Sequence, residues 1–381
     1  MKYLSRIIVY STVPFIALYH LFTKAAAYRG SCKKPYRWYR LRLEGCKSSD
    51  GTAYYAYYKK GSVNKLVVYF SGGGASWKEE TAARPNTLGR FLAGDEAYYF
   101  PRAASYMELA FTGIMSKNDP RNPFNDWNYI YLPYATGDFH SGNNDYPYTG
   151  LDGKPHILYH QGAENLRRSL EAAPRDFRHP EALLVAGESA GAFGAVANAD
   201  IVAAAFPECR DLTVYSDGSQ VQYLDWKAIF RDIWKTDPGL YACLGDDGQL
   251  IRDWFIRLSK RLPGAVLLHS NSAFDETLAQ YQYKMNHDVF ALNAEALAEF
   301  HRGLAQVTPE IKAAVPHYYY YIANHAKDPA TGKTAHTSSR LPKRFYEDRV
   351  EGISVAEWLR AAVIAKRYQD VGTELLEQAE T

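Results

Sequence analysis

The stretch Gly187-Glu188-Ser189-Ala190-Gly191 is entered by the apolar run Ala182 to Ala186 and left by an Ala-rich segment, Ala190 to Phe206. Read in order, that is strand, sharp turn and helix. In a G-x-S-x-G elbow the glycines remove the Cβ atoms that would clash in so tight a turn, and the serine Oγ stands exposed above a parallel sheet. The helix start then aims backbone N–H groups at any developing oxyanion. Five-residue patterns recur by chance, and a Gly-rich turn with an ordinary serine is the plain alternative. The flanking strand and helix favour a nucleophile at Ser189.

Outward from the elbow, the 381 residues are 47% apolar and carry a formal charge of +2. A chain of this kind buries a large core, and one α/β domain with insertions accounts for it without an internal boundary. So small a net charge lacks the basic field that nucleic-acid binding needs. No metal signature is present and no cofactor is expected. Cys32, Cys46, Cys209 and Cys243 form no C-x-x-C pair, a spacing that argues against zinc and leaves two disulfides or four free thiols open.

Lys2 and Arg6 precede an apolar run, Ile7 to Phe22, followed by the small residues Ala25-Ala26-Ala27. This predicts residues 1–27 as a signal peptide or, less readily because of Pro14 and His20, an amino-terminal membrane anchor, with residues 28–381 as the exported catalytic domain. Any membrane contact would be through that anchor alone.

Along the chain, Tyr36 to Leu43 and Ala53 to Lys59 read as an antiparallel pair at a sheet edge. Lys65 to Phe70 reads as a buried strand running into Ser71-Gly72-Gly73-Gly74-Ala75-Ser76-Trp77, a glycine loop whose N–H groups suit the second half of an oxyanion hole. A phosphate loop is the rival, but no Lys-Ser or Lys-Thr follows and no G-x-G-x-x-G spacing is present. Leu88 to Asn125, with Met107 and Met115, reads as an insertion over the site. Trp127 to Leu132 is a further strand, followed by the Tyr134 to Gly142 loop with Asp138 and His140, which alone would be plain surface.

Gln161 to Ala172 reads as a helix, Leu212 to Tyr215 as a strand ending at Ser216-Asp217-Gly218, and Tyr223 to Leu262 as a helical, aromatic cap. Ala265 to Ser270 and His317 to Ala323 complete the strands, and a terminal helix is expected from about Ser354. The alternation predicts an α/β-hydrolase-like, doubly wound and mostly parallel sheet with helical cap insertions.

A serine hydroxyl needs a histidine to take its proton, and that histidine needs a carboxylate to fix its tautomer. In α/β hydrolases the order is Ser, acid, His, each at the carboxyl end of a later strand. Asp217 and Asp275 both qualify as the acid. Asp275 follows the strand nearest in order to the final one and is preferred, although an Asp before a helix also serves as an N-cap. His325 and His336 both follow the last strand, and spacing alone does not choose between them. A histidine base predicts activity falling below about pH 6.

Gly72-Gly73-Gly74-Ala75-Ser76-Trp77, Asn122-Pro123-Phe124-Asn125-Asp126-Trp127-Asn128, the Tyr134 to Gly142 loop, Gly187 to Gly191, Phe274-Asp275-Glu276 and His336-Thr337 occur in this order. Together they resemble the pectin acetylesterase family, most nearly its bacterial branch; the animal Notum carboxylesterases belong to the same family. The resemblance runs from about Trp38 to Trp358. It implies a metal-free serine esterase with Ser189, Asp275 and His336 as triad, and an oxyanion hole from the backbone of Gly73, Gly74 and Ala190. It also implies an acylated glycan or other small ester as partner. Two departures stand out. Ser76 and Ala135 replace cysteines expected in many relatives, and Ser216-Asp217-Gly218 replaces an Asp-Ser-Gly order.

Overall fold

The computed structural model describes residues 25–102 and 111–377. The apolar run read as signal or anchor therefore lies outside the described residues, as does Met107. Among the described residues, no helix is long and apolar enough to cross a membrane.

The strands, in chain order, are β1 (Ala26–Ala27), β2 (Trp38–Lys47), β3 (Ala53–Lys59), β4 (Lys65–Phe70), β5 (Asn128–Leu132), β6 (Asn144–Thr149), β7 (Pro155–His160), β8 (Ala182–Glu188), β9 (Asp211–Asp217), β10 (Val266–Ser272) and β11 (Tyr318–Ala323), with a short further pair at Arg349–Val350 and Ile353–Ser354. Nine form one sheet in the order β1-β2-β3-β5-β4-β8-β9-β10-β11, and β6 pairs with β7 as a separate hairpin. From β5 to β11 every neighbouring pair is parallel, while β3 is antiparallel to both β2 and β5. The small residues Ala26 and Ala27 pair in parallel with Tyr39 and Arg40 at the sheet's edge. This is an α/β-hydrolase-like fold.

The central strands are buried throughout, which is why β4 (KLVVYF) and β8 (ALLVAGE) read as continuous apolar runs without alternation. After β4 the chain goes to β5 on one side and then returns past β4 to β8 on the other. The carboxyl ends of β4 and β8 thus flank a reversal of strand order, the place where open α/β sheets bind ligands. The main helices are α1 (Gly162–Glu171), α2 (Ala190–Ala205), α3 (Leu250–Arg261), α4 (Glu276–His287) and α5 (Ala294–Ala314). Helix α2 packs on β4, β8 and β9; its alanines and glycines let it approach the sheet closely. Trp358 lies on Tyr215 of β9 and Tyr321 of β11, with ring centroids 6.2 and 5.7 Å away.

Three stretches differ from the sequence reading. The Tyr134 to Gly142 loop is buried over its whole length rather than lying at the surface. Its polarity is satisfied internally: Asp138 accepts from Thr136 Oγ1 at 2.6 Å, from the His140 N–H at 3.0 Å and from the Gly162 N–H at 2.9 Å. The cap is not one helical stretch but short turns at Trp226–Ala228, Ile229–Ile233 and Pro238–Tyr241 before α3 begins. Beyond Ser354 the helix stops by Ile364, and the chain turns back so that the Val371 N–H donates to Tyr320 O at 2.9 Å.

Trp234 joins the cap to the glycine loop. It is fully buried, its indole N–H donates to Ser76 O at 2.6 Å, and its ring lies 5.0 Å from both Phe139 and Phe230. Ser76 N–H in turn donates to Gly137 O at 2.9 Å, so hydrogen bonds tie the two loops where the family resemblance leads one to expect cysteines. Trp234→Ala should lower the free energy of unfolding by about 3–5 kcal/mol, as expected for a deleted core indole. Urea denaturation measures this; a loss near zero would mean that the cap does not brace the loop.

Candidate active site

The elbow forms as its sequence requires. Ser189 has φ 53° and ψ −128°, the strained turn between β8 and α2, and its N–H donates to Asp217 O at 2.8 Å. At Gly191 an added Cβ would fall 2.1 Å from Phe70 O, so no other residue lets α2 start so close to β4. At Gly72 it would fall 2.6 Å from Ser189 Cβ, which places the glycine loop directly against the serine.

Gly73 O accepts from the Phe100 N–H at 2.9 Å, and the Ala75 N–H donates to Tyr98 O at 2.9 Å. Among the described residues the N–H groups of Gly73 and Gly74 make no backbone hydrogen bond. Ala190 is the first residue of α2, where an N–H has no partner within the helix. Gly73 and Gly74 line the cavity of Ser189, and Ala190 follows it at the positive end of the helix dipole.

Asp275 and His336 come from different elements that are clamped together. Thr334 N–H donates to Phe274 O at 2.8 Å, Phe274 N–H to Thr334 Oγ1 at 3.0 Å, and Glu276 N–H to Thr334 O at 3.1 Å. Asp275 is fully buried, and its two oxygens divide the work. Oδ1 caps α4 by accepting from the Thr277 and Leu278 N–H groups at 2.9 and 2.8 Å; Oδ2 lies 2.7 Å from His336 Nδ1. The N-cap and imidazole-partner readings of this aspartate therefore both hold. Because an ionised carboxylate only accepts, Nδ1 carries the proton and Nε2 presents its lone pair. Nε2 is buried and has no hydrogen-bond partner among the described residues.

His336 and Ser189 line one cavity of about 210 Å³, together with Gly72, Gly73 and Gly74. Burial works against a charge on His336, but the carboxylates of Asp275, Asp217 and Glu188 outweigh it and hold its pKa above the ordinary 6.5. Arg344 fixes the base loop from behind, donating to the His336 and Thr337 carbonyl oxygens.

The competing residues sit elsewhere. Asp217 is buried and accepts from Ser270 Oγ at 2.7 Å, Ser338 N–H at 2.9 Å, Ser339 N–H at 2.8 Å and Ser339 Oγ at 2.6 Å. It anchors the segment after His336 instead of holding an imidazole. His325 is buried, faces Ser338 Oγ at 3.3 Å, and lines neither cavity at Ser189. Desolvation lowers its pKa.

Sequence reasoning missed Glu188 and Arg340, which also line the cavity, and Asn86, Tyr98 and Phe100, which wall it. Glu188 was legible only as the variable position of the elbow; Arg340 carried no motif. All four cysteines are free thiols. Among the described residues no group of His, Cys, Asp and Glu is placed to hold a metal ion.

Comparison with known proteins now bears on this arrangement. The family model described as pectinacetylesterase matches residues 41–235, just over half of the chain. The chain belongs to the pectinacetylesterase family. It is also similar to palmitoleoyl-protein carboxylesterase notum2 of Xenopus laevis, 26% identical over 180 residues, which is 46% of this chain and 34% of that protein. Palmitoleoyl-protein carboxylesterase NOTUM of Homo sapiens is 28% identical over 168 residues, 42% of this chain and 29% of that protein. The chain thus spans about a third of the length of these curated relatives. The family match includes the glycine loop and Ser189 and ends before Asp275 and His336, whose pairing rests on the geometry given above.

Two outcomes are expected if His336 takes the serine proton. The protonated, inactive imidazole persists to higher pH when its pKa is raised, so kcat/KM should rise through an inflection above pH 6.5 instead of near 6. Asp275→Asn keeps a good helix cap but removes the negative charge beside Nδ1. Turnover should fall on the order of ten-thousandfold with little change in thermal unfolding. Secondly, His336→Ala should be as inactive as Ser189→Ala, because such residues act as a unit, while His325→Ala retains activity. Kinetics of the single variants on p-nitrophenyl acetate decide both points, and an active His336→Ala would return the choice to His325.

Proposed function

We propose that this protein hydrolyses a carboxylic ester through an acyl-serine intermediate. Ser189 Oγ attacks the carbonyl carbon while His336 Nε2 takes the hydroxyl proton; the tetrahedral oxyanion is held by the N–H groups of Gly73, Gly74 and Ala190. The C–O bond to the alcohol then breaks, and the imidazolium returns the proton to the leaving oxygen. Water, deprotonated by the same nitrogen, releases the acid in the second step. The observation that carries this reading is the Asp275–His336 pair, with its second ring nitrogen unpartnered, in the cavity that holds the elbow serine. Membership of the pectinacetylesterase family supports it. The basic start and apolar run of residues 1–22 favour a reaction outside the cytoplasm.

The acyl group is read from a second, apolar cavity that also reaches Ser189, lined by Phe139, Phe193, Val221, Trp226, Leu278 and Met285. Its volume is about 60 Å³, room for roughly four water molecules when about 15 Å³ holds one. That suits an acetyl or other short acyl group, and we propose an O-acetyl ester, carried on a glycan. A second reading, removal of a long acyl group from a protein, follows from the similarity to the two palmitoleoyl-protein carboxylesterases.

On p-nitrophenyl esters, kcat/KM should be highest for acetate to butyrate and drop at least tenfold by octanoate. Ser189→Ala should lose activity a thousandfold or more, on the order seen when triad nucleophiles are removed. Its labelling by a fluorophosphonate probe should disappear while its melting temperature is kept. Equal labelling of Ser189→Ala would remove the nucleophile assignment; a preference for octanoate and longer chains would favour the long-acyl reading.

A further inference from the structure

Glu188 directly precedes the elbow serine, and Arg340 follows His336 by one short turn of chain. The two segments that hold the serine and the imidazole therefore also present a carboxylate and a guanidinium to the same cavity. Glu188 Oε1 lies 3.8 Å from Arg340 Nη1, an ion pair in charge but too long for a hydrogen bond. Oε2 accepts from Tyr69 O–H at 3.2 Å, and no described residue donates to Oε1. The Arg340 guanidinium makes no hydrogen bond to any described residue, although its side chain is 42% exposed and its main chain is fixed, with Thr112 Oγ1 donating to Arg340 O at 2.8 Å.

We propose that Glu188 and Arg340 form the leaving-group subsite of this esterase, and that it takes the hydroxyl groups of a neutral sugar. The inference rests on the ester-hydrolase reading above and deepens it. A hydroxyl both donates and accepts, so one placed in the gap accepts from Nη1 and donates to Oε1, completing both partners at once. The remaining guanidinium donors reach a neighbouring sugar oxygen in the fork that arginine provides. A fatty alcohol offers no such atoms and would leave both groups desolvated and unpaired. An acidic sugar would bring its carboxylate against Glu188. Burial, offset by Arg340 and reinforced by Asp217, raises the pKa of Glu188, which fits a carboxylate still short of hydrogen-bond donors. The partly exposed Phe100 at the cavity wall gives a sugar ring an apolar face to lie on.

The test compares kcat/KM on an O-acetylated methyl glycoside with kcat/KM on p-nitrophenyl acetate, whose leaving group has no hydroxyls. In Arg340→Gln the ratio of the two should fall tenfold or more, carried by KM, and Arg340→Lys should restore it only in part because an ammonium lacks the fork. Glu188→Gln should lower the ratio in the same direction. Wild-type protein should also prefer the neutral glycoside acetate over the corresponding acetylated methyl uronate. An unchanged ratio in Arg340→Gln, or preference for the uronate, overturns the proposal. Should wild type cleave neither ester, the hydrolase reading fails by itself. Binding of the unacetylated methyl glycoside, followed by NMR titration, then decides the subsite: binding lost in Arg340→Gln supports it, and no binding to wild type ends it.

Discussion

The carboxylate of Asp275 is the constraint on which the site depends. One oxygen caps α4 and the other holds His336 Nδ1 at 2.7 Å, so the orientation of the imidazole is coupled to the start of a helix. A carboxylate free to rotate would lose part of its strength as an imidazole partner to side-chain entropy. Here two backbone N–H groups fix its plane, and the helix dipole favours its negative charge. The backbone ladder between Phe274, Glu276 and Thr334 then sets the distance between two loops that are far apart in sequence.

The serine side is held by a different device, close approach of backbone to backbone. Gly72, Gly187 and Gly191 lie where a Cβ would overlap a neighbouring carbonyl or the serine itself. Strand β4, strand β8 and the start of α2 can therefore approach one another closely around Ser189. The Gly-rich loop is braced below by the buried Tyr134 to Gly142 segment, where His140 Nε2 lies 2.9 Å from Ser71 O.

Much of this was legible in the sequence because steric and periodic constraints are local. The strands β4, β8, β9, β10 and β11 follow from apolar runs bounded by turn residues, and the elbow from two glycines around a serine. What was not legible depends on long-range partners. Asp138 and His140 look like surface polarity until the Thr136, Gly162 and Ser71 groups that satisfy them are in place. The cap reads as a helical, aromatic stretch from Tyr223 to Leu262, but Pro238 and the Gly245 to Gly248 turns break it. Asp217 and Asp275 look alike in sequence, each at or shortly after the end of a strand, and are told apart by what the fold brings to them.

That difference explains how three carboxylates coexist around one imidazole. Each buried charge has to be offset by donors or it neutralises by binding a proton. Asp275 has two backbone N–H groups and the imidazole. Asp217 has the backbone and hydroxyl donors of Ser338 and Ser339 and the hydroxyl of Ser270, which use up its lone pairs and turn its charge into an anchor for the base loop. Glu188 has one tyrosine hydroxyl at 3.2 Å and a guanidinium beyond hydrogen-bond reach. Asp275 and Asp217, their oxygens taken up by donors, hold the frame and do most to raise the pKa of His336, whereas Glu188, with the fewest donors, lines the cavity and adds the smallest share.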